Sequence, residues 1–313
     1  MKKLFFDDMR ILLTGGSGQL GQAILASKPV HLEEESVELI AMTSSELDLS
    51  DEKSCQDAIE KHHPDWVLNA GAYTAVDQAE SQPELAMAVN AKAPRAIAEA
   101  LLQNGGNLLQ LSTDFVFDGK QNTPYKTYQD RNPLSIYGKS KAIGEESVQN
   151  ILSATDQGII LRTSWLVGPL GNNFVRTMLR LHRKFDLIKV VSDQIGGPTS
   201  SLRLAKICWR ILELKQKKQA IPNILHWCDS GFTSWYDLAI AIGETAKDIG
   251  LISKMAKVKS INTIDYPTPA VRPKYSLLDC ESSRSALLME SIHWSQSLVE
   301  ILTVIASNKS LIE

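Results

Sequence analysis

The sequence predicts an α/β protein in which a doubly wound parallel sheet is followed by a smaller mixed α/β lobe. Three observations carry that expectation. Short apolar runs alternate with helical segments over roughly the first half of the chain, as a parallel sheet covered on both faces requires. The first apolar run ends in a glycine-rich turn that opens a helix. After about Gly168 the alternation loosens, and Gly and Pro punctuate shorter segments.

The elements follow in order. Arg10-Ile11-Leu12-Leu13-Thr14 reads as a buried strand feeding the Gly15-Gly16 turn. Gly18 to Ser27 reads as a helix with Leu20, Ile24 and Leu25 on one side. Val37 to Met42 is the second strand, and Ser50-Asp51-Glu52 starts a helix whose acids favour its positive N-terminus. Trp66 to Asn69 is the third strand. Ser81-Gln82-Pro83-Glu84 fits a capping box, with Ser81 as N-cap and Glu84 at the third helical position. The Ala-rich helix behind it runs to about Asn104, where Gly105-Gly106 stops it. Leu108 to Ser112 is the fourth strand, a helix lies near Tyr137–Gln149, and Gly158 to Arg162 is the fifth strand. Later come strand signals at Lys189–Val191 and Asn223–Trp227, with helices near Asn173–Lys184, Ser201–Lys215 and Ser234–Ile249. The expected division is a sheet domain over residues 9–168, a smaller lobe over 169–313 with some segments returning to the main domain, and an N-terminal extension over 1–8.

Bulk properties exclude several classes. The 313 residues are 43% apolar, enough for one large or two modest cores. With 33 basic and 36 acidic residues the net charge is −3, which gives no electrostatic reason to expect nucleic acid or an anionic membrane. The N-terminal apolar patch Leu4-Phe5-Phe6 stops at Asp7-Asp8, so no export signal is expected. No later run approaches the ~18 apolar residues of a membrane span. Cys55, Cys208, Cys228 and Cys280 stand at no metal-ligand or redox-motif spacing, and a reduced cytoplasmic setting is the simplest reading. The adjacent His62 and His63 read as solvated surface at a helix end.

Gly15, Gly18 and Gly21 form Gly-x-x-Gly-x-x-Gly directly after the first strand. Glycines allow the tight turn and bring backbone N–H groups and a helix N-terminus close to a pyrophosphate. Such a pattern alone fits an ordinary turn as well. Its place at the start of a βαβ unit points to a Rossmann-type dinucleotide site. The second strand ends Ala41-Met42-Thr43-Ser44-Ser45, with no acid before Glu46 to bind ribose hydroxyls. The hydroxyls favour NADP(H) slightly over NAD(H), although no arginine is there to pair with a 2′-phosphate. Asp48, flanked by Leu47 and Leu49, stands where the adenine edge would lie. A turn residue ahead of Ser50 describes Asp48 nearly as well.

Tyr137 and Lys141 are four residues apart, so on a helix they share a face. A phenol ordinarily titrates near ~10, and a neighbouring ammonium should lower that value. The pair suits carbonyl reduction, in which the tyrosine protonates the oxygen and the lysine holds a nicotinamide ribose. An incidental Tyr and Lys on a surface helix is the alternative, and the upstream glycine loop argues against it. Thr113, at the end of the fourth strand, is the expected third partner, either on the substrate oxygen or on Tyr137. A turn cap is its other possible role, which Asp114 could equally serve.

Together these stretches resemble the extended short-chain dehydrogenase/reductases, and more closely the family that reduces dTDP-4-dehydrorhamnose. The resemblance runs along nearly the whole chain from Met9. It rests on Thr14–Gly21, Asn69–Asp77, Ser112–Gly119, Tyr137–Lys141, Arg162–Trp165, Gly171–Phe174, Asp193-Gln194 and Arg272-Pro273. The glycine loop and the Tyr–Lys pair are common to the superfamily. The stretches around Tyr73 and Asp114 are more specific to this reductase family. The resemblance implies reduction of the C4 ketone of dTDP-4-dehydro-L-rhamnose to dTDP-L-rhamnose by NADPH or NADH. It implies Thr113, Tyr137 and Lys141 as the catalytic triad. Gly18, Gln19, Leu20, Asp48, Ala72, Tyr73 and Thr74 would line the cofactor. Thr113, Asp114 and Trp165 would meet the sugar, with Asn173 and Arg272 at the nucleotide diphosphate. A guanidinium there also makes independent sense, since it binds phosphate oxygens in a fork.

There are departures. Gly71 and Tyr73 stand where the family has Ala and often His, and the chain between Ser27 and Val37 is longer and acidic at Glu33-Glu34-Glu35. Some relatives form homodimers around Mg²⁺ held by glutamates; those ligands have no match here, so a homodimer stays open and metal unassigned. Two other readings remain. One is a different nucleotide-4-ketosugar reductase or an epimerase that retains its cofactor through purification. The other is a non-catalytic regulatory subunit on the same fold, resembling that of methionine adenosyltransferase. The presence of Thr113, Tyr137 and Lys141 together argues against the second.

Overall fold

The computed structural model describes residues 8–308 and 311. Apart from Asp8, the expected N-terminal extension lies outside the described residues. The first half runs β1 (Met9–Thr14), α1 (Gln19–Ala26), β2 (His31–Leu32), β3 (Glu35–Met42), α2 (Glu52–His62), β4 (Trp66–Asn69), α3 (Val76–Ala79), α4 (Pro83–Met87), α5 (Ala93–Asn104), β5 (Asn107–Thr113), α6 (Ile136–Leu152) and β6 (Gly158–Thr163). The second half adds β7 (Leu166–Val167), α7 (Phe174–Lys184), β8 (Leu187–Val191), β9 (Ile195–Gly196), β10 (Thr199–Ser200), α8 (Ser201–Gln216), β11 (Ile224–Trp227), β12 (Thr233–Ser234), α9 (Trp235–Asp248), β13 (Lys257–Ile261), α10 (Glu281–Leu287) and α11 (Trp294–Ser307).

Seven strands form one sheet in the order β11-β6-β5-β4-β1-β3-β2. Every neighbouring pair is parallel except β2 on β3. Strands buried on both faces read as unbroken apolar runs, which is why Ile11 to Leu13 and Trp66 to Leu68 lack polar alternation. One face is covered by α1 and by α8 from the second half, where Ile24, Leu204, Ile207 and Ile211 share a core and Trp209 Nε1 donates to Ile24 O at 3.3 Å. The other face packs on α2 and α5, with Ile59, Ile97 and Leu101 fully buried, and on α6 through Val148. The second half therefore supplies both the last strand of the sheet, β11, and one of its covering helices. A separate core joins α7, α9 and α11 to β8, which pairs in parallel with β13.

The start of α4 differs from the expected capping box. Its N-cap is Gln82, not Ser81, and no side chain caps it. Ser81 belongs to the turn leaving α3, where its hydroxyl donates to Gln78 O at 3.0 Å. Pro83 at the first helical position has no N–H needing an acceptor, so the helix starts there without a box. One turn of π-helix, Ala88–Lys92, links α4 to α5 and turns the Asn90 side chain towards the site described below. All four cysteines are free and buried, and the fold brings the Cys228 and Cys280 sulfurs to 3.5 Å.

Candidate active site

β1 is flanked by β3 and β4, so the chain leaves β1 in one direction and returns on the other side. Open parallel sheets bind ligands at the strand carboxyl ends beside such a switch. A cleft of about 800 Å³ opens there. Its floor is the glycine turn. Gly15 has φ +66°, and a Cβ on it would stand 2.7 Å from Gly71 Cα. Gly18 is the N-cap of α1 and carries no side-chain acceptor, so the first-turn N–H groups are left for a ligand. Gly15, Gly18, Gln19 and Leu20 border the cleft, and Gly21 does not. The expectation that Gly21 meets the cofactor is thus corrected. It lies under the turn, where a Cβ would overlap Gly15 O, and its role is to let α1 approach the strand. Gly21→Ala is expected to weaken binding of a dinucleotide in the cleft about tenfold or more by pushing that turn outward, checked by fluorescence titration.

The cleft also takes in Asp48, Leu49, Ala72, Tyr73 and Thr74. Asp48 borders the cleft and is also the turn residue ahead of Ser50. Its Oδ1 accepts from Ser50 N at 2.8 Å and Ser50 Oγ at 2.7 Å, which hold the carboxyl below its usual range. At the end of β3, Ser44 borders the cleft while Glu46 turns back to accept from Thr43 N and Oγ1, both at 2.8 Å. Asn90 fixes the backbone of Tyr73, accepting from its N and donating to its O at 2.9 Å each, and also donates to Ser140 on α6 at 3.0 Å. Sequence reading missed Asn90, because only the π turn brings it round.

Thr113, Tyr137 and Lys141, the expected reactive groups, border the same cleft. α6 begins at Ser135, whose hydroxyl accepts from Gly138 N at 3.2 Å, and Glu80 accepts from Ile136 N at 2.9 Å. This capped first turn carries Tyr137, and Lys141 follows one turn later. Phe115 packs edge-on against the Tyr137 ring at 5.6 Å. Thr113 caps the turn after β5 and donates to Asp114 Oδ1 at 3.1 Å. The expected lowering of the phenol is corrected. Burial pushes Tyr137 up to about 12, against the pull of the Thr113 hydroxyl. Lys141 does not offset this; its Nζ donates to Leu111 O at 2.6 Å. Burial also brings Lys141 down to about 8, opposed by Glu145 on the same helix. At neutral pH the site therefore holds a protonated phenol beside an ammonium that releases its proton readily.

Behind Lys141 lies a buried ion pair. Arg162 Nε and Nη2 reach Glu145 at 2.7–3.1 Å, and Nη1 donates to His226 Nε2 at 3.2 Å. Burial and the guanidinium bring His226 down to about 3, so it is neutral; it accepts on Nε2 and donates from Nδ1 to Tyr125 O at 3.1 Å.

Asp114, 2% exposed, is pushed by burial up to about 6. Trp165 holds a left-handed backbone at φ 44° and stacks on Trp235 with centroids 3.5 Å apart. A bulky residue in that region signals a position held by its surroundings. Both rings border the cleft, and Trp235 was not anticipated. Asn173 borders the cleft, but its side chain is engaged within the protein. Nδ2 donates to Gln19 Oε1 and Gly168 O at 2.9 Å, and Oδ1 caps α7 through Arg176 N. Arg272 borders the cleft and is paired with Asp77.

Residues 9–307 match the family described as RmlD substrate binding domain. The chain belongs to the RmlD substrate-binding family. A dTDP-4-dehydrorhamnose reductase of Aggregatibacter actinomycetemcomitans is 39% identical over 293 residues, covering 93% of this chain and 98% of its own length. The crystal structure of such a reductase from Clostridium acetobutylicum is 35% identical, covers 95% of this chain and all of its own, and superposes with a TM-score of 0.85. That of the Bacillus anthracis reductase in complex with NADP is 31% identical over 95% of this chain and 99% of its own, with a TM-score of 0.84. This RmlD-family chain has, among its described residues, no group of three or more His, Cys, Asp or Glu that could hold a metal ion. No described helix is long and apolar enough to cross a membrane.

Proposed function

We propose that this chain reduces the C4 ketone of dTDP-4-dehydro-L-rhamnose to dTDP-L-rhamnose with NAD(P)H. The observation that carries the reading is the convergence of Thr113, Tyr137 and Lys141 on the cleft floored by the glycine turn. The glycine-lined α1 N-terminus fits a dinucleotide pyrophosphate, with Ala72, Tyr73, Thr74, Asp48 and Leu49 along the remainder of the cofactor. When bound, the nicotinamide supplies the hydride to the carbonyl carbon. Tyr137 keeps its proton at neutral pH and hands it to the oxygen, because a developing alkoxide is a stronger base than a phenolate. Thr113 orients that oxygen or the phenol. Lys141 has one N–H on Leu111 O, leaving others for the cofactor ribose and a proton to return to Tyr137. Asp114 and Trp165 hold the sugar, and Arg272 takes the diphosphate.

NADPH is the better cofactor in this reading, since no acid from the end of β3 faces the cleft and the Bacillus anthracis relative was solved with NADP. A cytoplasmic location accords with four free cysteines. The test is turnover of dTDP-4-dehydro-L-rhamnose with NADPH and NADH in parallel. NADPH should give the higher kcat/KM, and the absence of turnover with both would overturn the assignment. The rate should also fall as pH rises through about 8, where Lys141 loses its proton while Tyr137 keeps its own. A pH profile of kcat that is flat to about 10, the ordinary range of an exposed lysine, would contradict that role for Lys141.

A further inference from the structure

Arg272 makes an end-on fork with Asp77. Nη1 donates to Oδ1 at 3.0 Å and Nη2 to Oδ2 at 2.7 Å. Nη1 also donates to Thr268 Oγ1 at 2.6 Å. A guanidinium has five N–H donors in a rigid plane, and this set leaves the Nε–Nη2 edge open. That edge is the side-on fork that binds two phosphate oxygens. Asp77 lies outside the cleft that Arg272 borders. The same carboxylate accepts from Ala270 N at 3.3 Å, so it fixes the backbone of the segment as well as its arginine. The Arg272 guanidinium in turn holds Asp77 below the usual carboxylate range, which keeps the pair charged at neutral pH.

The far end of this segment is tied separately. Asp193 Oδ1 accepts from Thr263 N at 2.8 Å and from its hydroxyl at 2.7 Å, and Gln194 donates to the same hydroxyl at 3.0 Å. Residues 263–272 thus form a strap anchored at both ends. Its cleft-side anchor sits on α3, directly after the Tyr73-Thr74 stretch and one turn before Glu80, which caps the Tyr137 helix. The phosphate-binding edge of Arg272 is referenced to the same turn that sets the catalytic helix.

We propose that Asp77 is the positioning residue for the nucleotide-sugar diphosphate: it clamps the strap and presents the open edge of Arg272 to the phosphates. The proposal rests on the reductase reading for the identity of the ligand. It is tested with dTDP as the probe, by calorimetry, alongside KM and kcat for the sugar nucleotide. Asp77→Asn should raise the dTDP Kd and the substrate KM about tenfold, the share of one charge-assisted contact, while kcat and NADPH affinity change little. Asp77→Glu, which keeps the charge, should recover most of the loss. Arg272→Gln should raise dTDP Kd as well, and the double variant should be no weaker than Arg272→Gln alone. Unchanged dTDP binding in Asp77→Asn, with binding weakened in Arg272→Gln, would overturn the role of Asp77. Additive losses in the double variant would overturn it too. Unchanged dTDP binding in Arg272→Gln removes both Arg272 and Asp77 from the site. If the dTDP results hold and no ketone is reduced, the positioning role stands and the reductase reading falls.

Discussion

Tyr137→Phe is expected to lower kcat by about 10³-fold, the range lost with a general acid, with NADPH affinity changed by no more than about twofold. The substitution removes one oxygen and keeps the ring. The edge contact with Phe115 and the helix cap at Ser135 involve the ring and the backbone, so they survive. What disappears is the proton at the carbonyl oxygen. Thr113 cannot replace it, since its hydroxyl is the far weaker acid and already donates to Asp114. Steady-state kinetics with a thermal melt separates this loss from unfolding. A variant retaining full activity would remove Tyr137 from the chemistry.

Arg162→Ala is expected to destabilise the fold by about 3–5 kcal/mol, as when one member of a buried ion pair is removed. The Glu145 side chain is 0% exposed and that of Arg162 is 2%. Burial alone would raise the Glu145 carboxyl; the guanidinium overrides it and holds the group below its usual range. A depressed folded value gives stability that is present above the unfolded value of about 4.3 and lost as pH falls through the folded one. Arg131, at 3.2 Å and partly exposed, replaces only a fraction of the interaction. The gap between parent and variant in urea melts should therefore be wide at neutral pH and narrow in acid. A gap that does not depend on pH would mean that lost packing over Phe117, not charge, dominates. Because Glu145 also opposes the fall of Lys141, the same change should disturb the upper limb of the activity profile.

The parts of this protein that could be read in the sequence are those fixed by near neighbours. The apolar run of β1, the glycine turn and the four-residue interval from Tyr137 to Lys141 are local patterns, and the fold uses them as read, with Gly21 moved from contact to support. The titration of the pair was not readable, because it depends on burial by the assembled fold, with Thr113 and Asp114 acting on Tyr137 and Glu145 on Lys141. Asp77 stood in a stretch already noted, yet its partner is 195 residues away. Asn90 was hidden by a π turn that no propensity marks. β13 has only half-buried and exposed residues and becomes a strand by pairing with β8. Ser81 shows the converse failure, a correct local motif overridden because α3 ends in a turn through it.

In the proposed reaction a hydride reaches C4 of the sugar in a cleft where Tyr137 supplies the proton. NADPH carrying deuterium at the transferred position of nicotinamide C4, incubated with the protein and dTDP-4-dehydro-L-rhamnose, tests it in one measurement. The expected product is dTDP-L-rhamnose with one deuterium, on C4 of the sugar, formed in step with NADPH oxidation. A product without deuterium at C4, or conversion without net use of NADPH, would contradict it.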